Sequence, residues 1–474
     1  MENKYEHITA AVSFTDLVRT TLGPRGMNKM VVGSEGTILT NDGATIIGSM
    51  RGGNPIFDLF KNLAKSQEEA VGDGTTTATV LSGQLLQNAL ILINKGIHPT
   101  VIINGYNLAR VNAMKFLEKS LEKVDKKDII RTAFGTKIAQ DQIEFLADLL
   151  LKIKEIQDLK IYLFPNSDFF KSEVFNGHVF DGFTINERMK SEVEGEMAVL
   201  DFPVNLKCDN FQVTDAKNLE AVSNYDTDYK RRIVNKLVEL NVKCVFYTDT
   251  NPEFETYLTE KGITGIVVFA RENVDGICKT IGANAASNYD QIRAGWGKMR
   301  YTKTTNPVRS HGTIYVSGEG NLETLVLRGP TSQTLDEIRR AVDDVVGLLR
   351  NDLDCVVGAG AIEIEIANDL REFAKRIGGK EQLAIEKYAE AIESIPAIIA
   401  ENCGLDAIDV LTNLKTLHSQ GQKDMGVDEF MGVSDARKRG IFEPALIKIY
   451  AISSATNVTN LILKLDGILQ GEMK

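Results

Sequence analysis

Cysteine is scarce in this sequence, and what there is does not pair. Cys208, Cys244, Cys278, Cys355 and Cys403 are odd in number, scattered, and never spaced as CxxC. That pattern excludes a disulfide framework and leads us to expect free thiols in a reducing cytosol. The five histidines lie far apart without an HExxH-like pairing, which leaves zinc chemistry without support. Long apolar runs are missing as well. None reaches the roughly 18 residues that span a bilayer, and no basic-then-apolar stretch opens the sequence, so a cytosolic protein with no membrane partner is expected. Positive charge is in deficit, with 54 Lys and Arg against 65 Asp and Glu and a net charge of −11. Such a balance repels phosphate backbones, so no nucleic-acid partner is expected. Any anionic ligand has to be held by a local arrangement of amides or a metal rather than by bulk charge.

What is present is ordinary globular material: 43% apolar and 25% charged residues exclude disorder. At roughly 150 residues per domain, 474 residues predict about three domains. The first 125 residues read as mostly helical, with a helix over 8–21 stopped by Gly23 and Pro24, then two short strands at 29–32 and 37–40. A helix begins at Asn54-Pro55, and a long one runs over 75–94, apolar nearly all round and therefore expected inside a helical core. From about residue 190 the grammar changes to buried strands at 197–204, 244–249 and 265–270, with a helix over 229–240. The glycine, asparagine and serine content over 282–320 weakens the expectation of regular structure there, and Trp296 in Gly295-Trp296-Gly297 is the sole tryptophan. Helices return after 325, with Thr334 and Glu337 forming a capping box. The order helical, mixed, helical predicts a helical domain built from both ends of the chain with an α/β domain inserted in it.

Gly72-Asp73-Gly74-Thr75-Thr76-Thr77 is the most informative string. Glycines ahead of a helix start turn successive amides toward one point, where the positive helix end favours an anion such as phosphate. Asp73 supplies a hard oxygen for a Mg²⁺ bridging phosphate oxygens. The same three residues also make an ordinary turn. No GxxxxGK[ST] loop is present, so no P-loop lysine is on offer. Leu22-Gly23-Pro24-Arg25-Gly26 provides a second backbone bend, Thr40-Asn41-Asp42-Gly43 a second carboxylate at a turn, and Gly358-Ala359-Gly360 a third glycine loop before a helix. Asp343 and Asp344 diverge by about 100° on their helix, so they form no shared-proton dyad. Both suit a solvated face. A catalytic reading needs Asp344 to orient a water against a γ-phosphate.

Six strings in this order resemble the group II chaperonins, the family of the archaeal thermosome and the eukaryotic CCT/TRiC complex. They are TTLGPRGMNKMVV at 20–32, TNDGATI at 40–46, VGDGTTTATVL at 71–81, HPTVIINGY at 98–106, LVLRG at 325–329 and GAGAIEIEIA at 358–367. VRTTLGPRGM at 18–27, LAKSQ at 63–67 and FEPALIKI at 442–449 echo the eta-type subunit. The resemblance implies a multidomain α and α/β chaperonin fold. It comprises a mainly helical equatorial domain from 1–126 and 356–474, an intermediate hinge domain from 127–188 and 321–355, and an inserted α/β apical domain over 189–320 with a helical protrusion. It further implies an ATP hydrolase that assists folding of unfolded proteins, the actin and tubulin class among them, within a hetero-oligomeric double ring of paralogous subunits. By the same resemblance Asp73 is the Mg²⁺ ligand, Gly74, Thr75 and Thr76 cradle the phosphates of ATP, and Gly23 and Pro24 form the second wall. Asp42 and Asp344 position and activate the water, while Gly135, Thr136, Gly360, Glu443 and Lys448 fall at nucleotide contacts. The chain departs from the family in reading Gly-Ala-Gly for the usual triple glycine and in a shortened segment between Asp344 and that loop. These departures keep open a structural ring subunit that binds nucleotide with little hydrolysis. A small-molecule kinase is disfavoured because no acceptor pocket can be named.

Overall fold

The computed structural model describes residues 6–33, 36–50, 55–135, 138–182, 188–205, 216–303, 312–350 and 354–465. They fall into two units, one of Met1–Leu151 with Asp336–Lys474 and one of Lys152–Leu335.

The first unit is built around the helix Thr75–Asn94, whose Ala78, Leu81, Leu85, Leu86 and Ala89 are all buried. Helices Glu6–Arg19, Gly379–Asn402 and Ala445–Leu463 pack on it, with Pro99–Lys119 alongside. An apolar side chain buried in this way contributes about 1.5–3 kcal/mol, so an all-round apolar helix belongs at the centre. Thr75–Asn94 and Ala445–Leu463 are each long and apolar enough to cross a membrane, but most of each is covered by its neighbours. Some polar groups that enter this core pair within it: Tyr106 donates to Leu85 O at 2.9 Å, and the Tyr388 and Thr456 hydroxyls share a 2.6 Å hydrogen bond. A small antiparallel sheet of Glu122–Lys123, Asp354–Val357 and Phe442–Pro444 joins three distant stretches of chain, pairing Cys355 with Pro444 on one side and with Glu122 on the other. The hairpin Lys29–Gly33 and Gly36–Thr40 pairs Lys29 with Thr40, close to the strands the sequence predicts.

The second unit carries a six-stranded sheet in the order His178–Gly182, Gly312–Gly318, Gly295–Lys303, Glu192–Leu200, Val242–Tyr247, Thr264–Val267. The first three pairings are antiparallel and the last two parallel. Ala198 and Leu200 face the helices Ala216–Glu239 and Pro252–Glu260, whereas Met197 and Val199 face the helix Arg271–Ile281. Burial on both faces is why these strands read as unbroken apolar runs.

Three expectations change. The segment 282–320 contains two sheet strands. Its glycines make room for neighbouring groups: a side chain on Gly312 would overlap Tyr301, and one on Gly318 would overlap Thr280 O. Strands also begin earlier than residue 190, at Lys160–Pro165, because strands of four to six residues set between turns at Asn166 and Gly177 leave little periodicity to detect. Finally, the helix Ser332–Leu349 starts before Thr334, and it is Thr331 Oγ1 that accepts from Thr334 N at 3.2 Å.

Candidate functional site

The helix Thr75–Asn94 opens on Gly74, at φ 84°, with no side chain capping its first turn. Its leading N–H groups therefore lack intrahelical acceptors and carry the positive end of the helix dipole. Gly72 precedes it at φ 75°, so the chain bends twice around Asp73 in a conformation that suits glycine. Asp73 Oδ1 accepts from Gly74 N at 2.7 Å, and Gln67 Nε2 donates to Asp73 O at 2.9 Å. A side chain on Gly74 would meet Ile447 Cγ2 at 2.5 Å, which fixes the loop against the helix Ala445–Leu463.

Two further turns close on this loop. Asp42 caps the helix Gly43–Ser49, accepting from Ala44 N at 3.3 Å and Thr45 N at 2.8 Å. Gly43 lies so close to Thr76 that any side chain there would overlap the Thr76 hydroxyl. Gly23, at φ 92°, packs on Ile399, and Asn402 Nδ2 holds the bend by donating to Leu22 O at 2.7 Å and Arg19 O at 3.0 Å.

These elements surround a cavity of about 400 Å³. Gly23, Pro24, Asp42, Asp73, Gly74, Thr75, Thr76, Gly135, Asp344, Glu443 and Lys448 all line it, so positions more than 400 residues apart in sequence meet there. Asp344 lies on the helix Ser332–Leu349, and its neighbour Asp343 turns away toward Arg339 at 3.5 Å. The adjacent acids thus part as helix geometry requires. Gly360 stands apart from the cavity: Ala359 supplies the lining, while Gly360 packs on Pro396. Thr136 lies outside the described residues.

Several lining residues carried no sequence signal. Glu68 comes one turn before the glycine loop, and its carboxyl is held above the usual range by desolvation and then by the charge of Asp42. Ile395, Ile399, Val427 and Ile441 add an apolar wall, and Arg131 and Arg439 add cations. Glu443 is pushed up by burial and by the nearby carboxylates Glu363 and Asp73, against the lowering effect of Lys448. Burial alone would lower Lys448, but Glu363 and Glu443, each 2.6 Å from its Nζ, outweigh it and hold the ammonium charged. Glu363 was within reach of the sequence, since it falls inside the GAGAIEIEIA string.

Among the described residues no three His, Cys, Asp or Glu side chains are placed to enclose a metal by themselves. Asp73 would hold a divalent ion only if other oxygens, such as those of a phosphate ligand and water, completed its coordination, as is usual for Mg²⁺ with nucleotides. The donor set and the uncapped helix start fit a metal-bearing phosphate ligand.

A model of the TCP-1/cpn60 chaperonin family matches residues 14–472. The chain is 34% identical to a thermosome subunit of Methanopyrus kandleri, over 98% of this chain and 91% of that protein. It is likewise 34% identical to a thermosome beta subunit of Archaeoglobus fulgidus, over 98% and 91%, and 32% identical to a thermosome alpha subunit of Thermoplasma acidophilum, over 98% and 90%.

Proposed function

Because the chain belongs to the TCP-1/cpn60 chaperonin family, we propose that it is an ATP-dependent folding chaperone subunit whose cavity is the site of Mg-ATP hydrolysis. The observation that carries this reading is the meeting of Asp42, Asp73 and Asp344 around one cavity with the uncapped helix start at Gly74.

In this reading the amides of Thr75 and Thr76 hold phosphate oxygens at the helix end, with Gly23 and Pro24 as the opposite wall. Mg²⁺, when bound at Asp73, neutralises phosphate charge. Asp344 accepts the proton of the attacking water, and Asp42, held by the two amides it caps, orients that water. The apolar wall of Ile395, Ile399, Val427 and Ile441 accommodates a base. Gly135, Glu443 and Lys448 complete the nucleotide contacts, and Gly360 shapes the wall indirectly through Ala359. We assign 127–188 and 321–355 to a hinge and 189–320 to client binding, so that movement of the helix carrying Asp344 couples hydrolysis to enclosure of unfolded proteins.

The alpha and beta designations of the thermosome relatives support assembly with paralogous subunits, and the double ring is carried over from the resemblance. We carry the eta-type identity and clients of the actin and tubulin class over from the resembling strings, and a cytosolic setting from the scattered cysteines, odd in number. One observation favours the second reading, a structural subunit with little hydrolysis: Ala359, where the family has glycine, takes φ 56° in the wall of the cavity. Single-turnover ATP hydrolysis by the assembled particle separates the two. An active subunit loses turnover in Asp344→Ala while retaining nucleotide, whereas a structural subunit shows no difference from the unaltered chain.

A further inference from the structure

Among the described residues, Arg131, Arg439 and Lys448 are the cations lining the cavity, and each is already paired. Arg131 is held by Glu144 at 2.7 Å and Asp128 at 3.2 Å, and Arg439 by Asp428 at 2.9 Å. Lys448 differs in being buried with its two carboxylates, Glu363 Oε1 and Glu443 Oε2, both 2.6 Å from its Nζ. The trio holds one carboxyl group more than its single ammonium matches, where little water reaches, since Lys448 is 6% exposed and Glu363 4%.

Glu443 alone would satisfy the charge of Lys448. The second acid comes from the far side: Glu363 is absent from the cavity lining, and its Oε2 is buried without a hydrogen-bond partner among the described residues. Burying an extra carboxylate with an unmatched oxygen destabilises a fold unless the site uses it. The trio is also tied to the phosphate loop, because Gln67 Nε2 bridges Asp73 O and, at 3.4 Å, the carbonyl of Ile447, the residue before Lys448.

We propose that Glu363, acting from behind the wall, neutralises Lys448 and thereby makes the cavity select the metal complex of a nucleoside triphosphate over the free nucleotide. This rests on the reading that the cavity takes nucleotide. A P-loop lysine offers its charge to phosphate directly. Here that charge is cancelled before a ligand arrives, and Asp42, Glu68, Asp73, Asp344 and Glu443 face the ligand with an acidic wall. Free triphosphate carries about twice the negative charge of its magnesium complex, so removing one buried negative charge favours the free form more. Glu363 is a positioning and specificity residue, since it acts through Lys448 without touching the ligand.

The test is equilibrium binding of the imido analogue of ATP to the full-length chain at pH 8, once in excess Mg²⁺ and once in EDTA. Glu363→Gln keeps the shape and an acceptor for Lys448. It is expected to shrink the ratio of the two affinities by about tenfold, chiefly by strengthening metal-free binding. Lys448→Gln is expected to widen the ratio, and Glu363→Asp, which keeps the charge, to leave it near the unaltered value. If Glu363→Gln does not fold, the contrast between Lys448→Gln and Glu363→Asp decides. An unchanged ratio in Glu363→Gln, or a Lys448→Gln ratio no wider than that of Glu363→Asp, overturns the proposal. Failure of the unaltered chain to bind either form overturns the nucleotide reading beneath it.

Discussion

Gly72 and Gly347 meet backbone to backbone, so that a methyl built on either would lie 3.5 Å from the Cα of the other. The same methyl on Gly72 would stand 3.5 Å from Asp344 O. This contact sets the helix carrying Asp344 against the glycine loop, and the distance between the proposed water-activating acid and the phosphate cradle depends on it. At 3.5 Å a methyl fits and a longer side chain does not. Gly347→Ala is expected to keep ATP turnover. Gly347→Leu, which suits a helix but not the gap, is expected to lower turnover on the order of a hundredfold while nucleotide still binds. Steady-state hydrolysis beside equilibrium binding checks both variants.

Asp344 and Asp73 are predicted to fail differently. Asp344→Ala removes a group that acts on the reacting water, so kcat falls by about two to four orders of magnitude with little change in affinity. Asp73→Ala removes the proposed metal ligand, so affinity for nucleotide falls in Mg²⁺, whereas in EDTA it holds or rises because one acid of the wall is gone. Equal effects of both variants on affinity would contradict these separate roles.

Two loop residues are predicted to shift stability in opposite directions. Gly74→Ala adds a side chain at φ 84° directly against Ile447, and should cost about 1–3 kcal/mol. Ala359 already pays for its left-handed backbone at φ 56°, and Ala359→Gly should gain about 1 kcal/mol. Denaturant midpoints of the two variants measure this directly.

The second unit should weaken in mild acid. His178 stacks on Phe180, 5.2 Å between ring centres, and its Nε2 pairs with Asn273 Oδ1 at 3.1 Å. Burial pushes it down to about 4 from an ordinary 6.5, with Asn273 opposing the shift. The unfolded chain then binds a proton between pH 6.5 and 4 that the folded chain refuses, so stability falls as pH drops through that window. The loss is about 3 kcal/mol by pH 4, and nothing from this group changes above pH 7. Unfolding midpoints over pH 4.5 to 7 should fall less steeply in His178→Phe. Parallel pH slopes in the two proteins would refute the assignment.

The helical parts of the fold were legible because their signals are local. Pro99 at the helix start after His98, the all-round apolar face of Thr75–Asn94 and the stop at Gly23 each lie within a few residues of what they specify. The strands Gly295–Lys303 and Gly312–Gly318 were not, since their glycines answer to Thr280, Tyr301 and Trp296, and only the folded sheet brings those groups near. The site divides in the same way. Gly72-Asp73-Gly74 announced itself by sequence, and the resemblance supplied Asp42 and Asp344. Glu363 lies inside the GAGAIEIEIA string, but its role comes from sharing Lys448 with Glu443, a relation across 85 residues of chain that no spacing rule expresses. Glu68 likewise acquires its character from the folded proximity of Asp42.

The central claim is that this cavity binds Mg-ATP through Asp73 and the amides beyond it. The most direct measurement is equilibrium dialysis of radiolabelled ATP in Mg²⁺ against the purified full-length chain and its Asp73→Ala variant. The account predicts saturable binding of one nucleotide per chain, lost or strongly weakened in the variant. Absence of binding to the unaltered chain, or equal binding by the two, would contradict it.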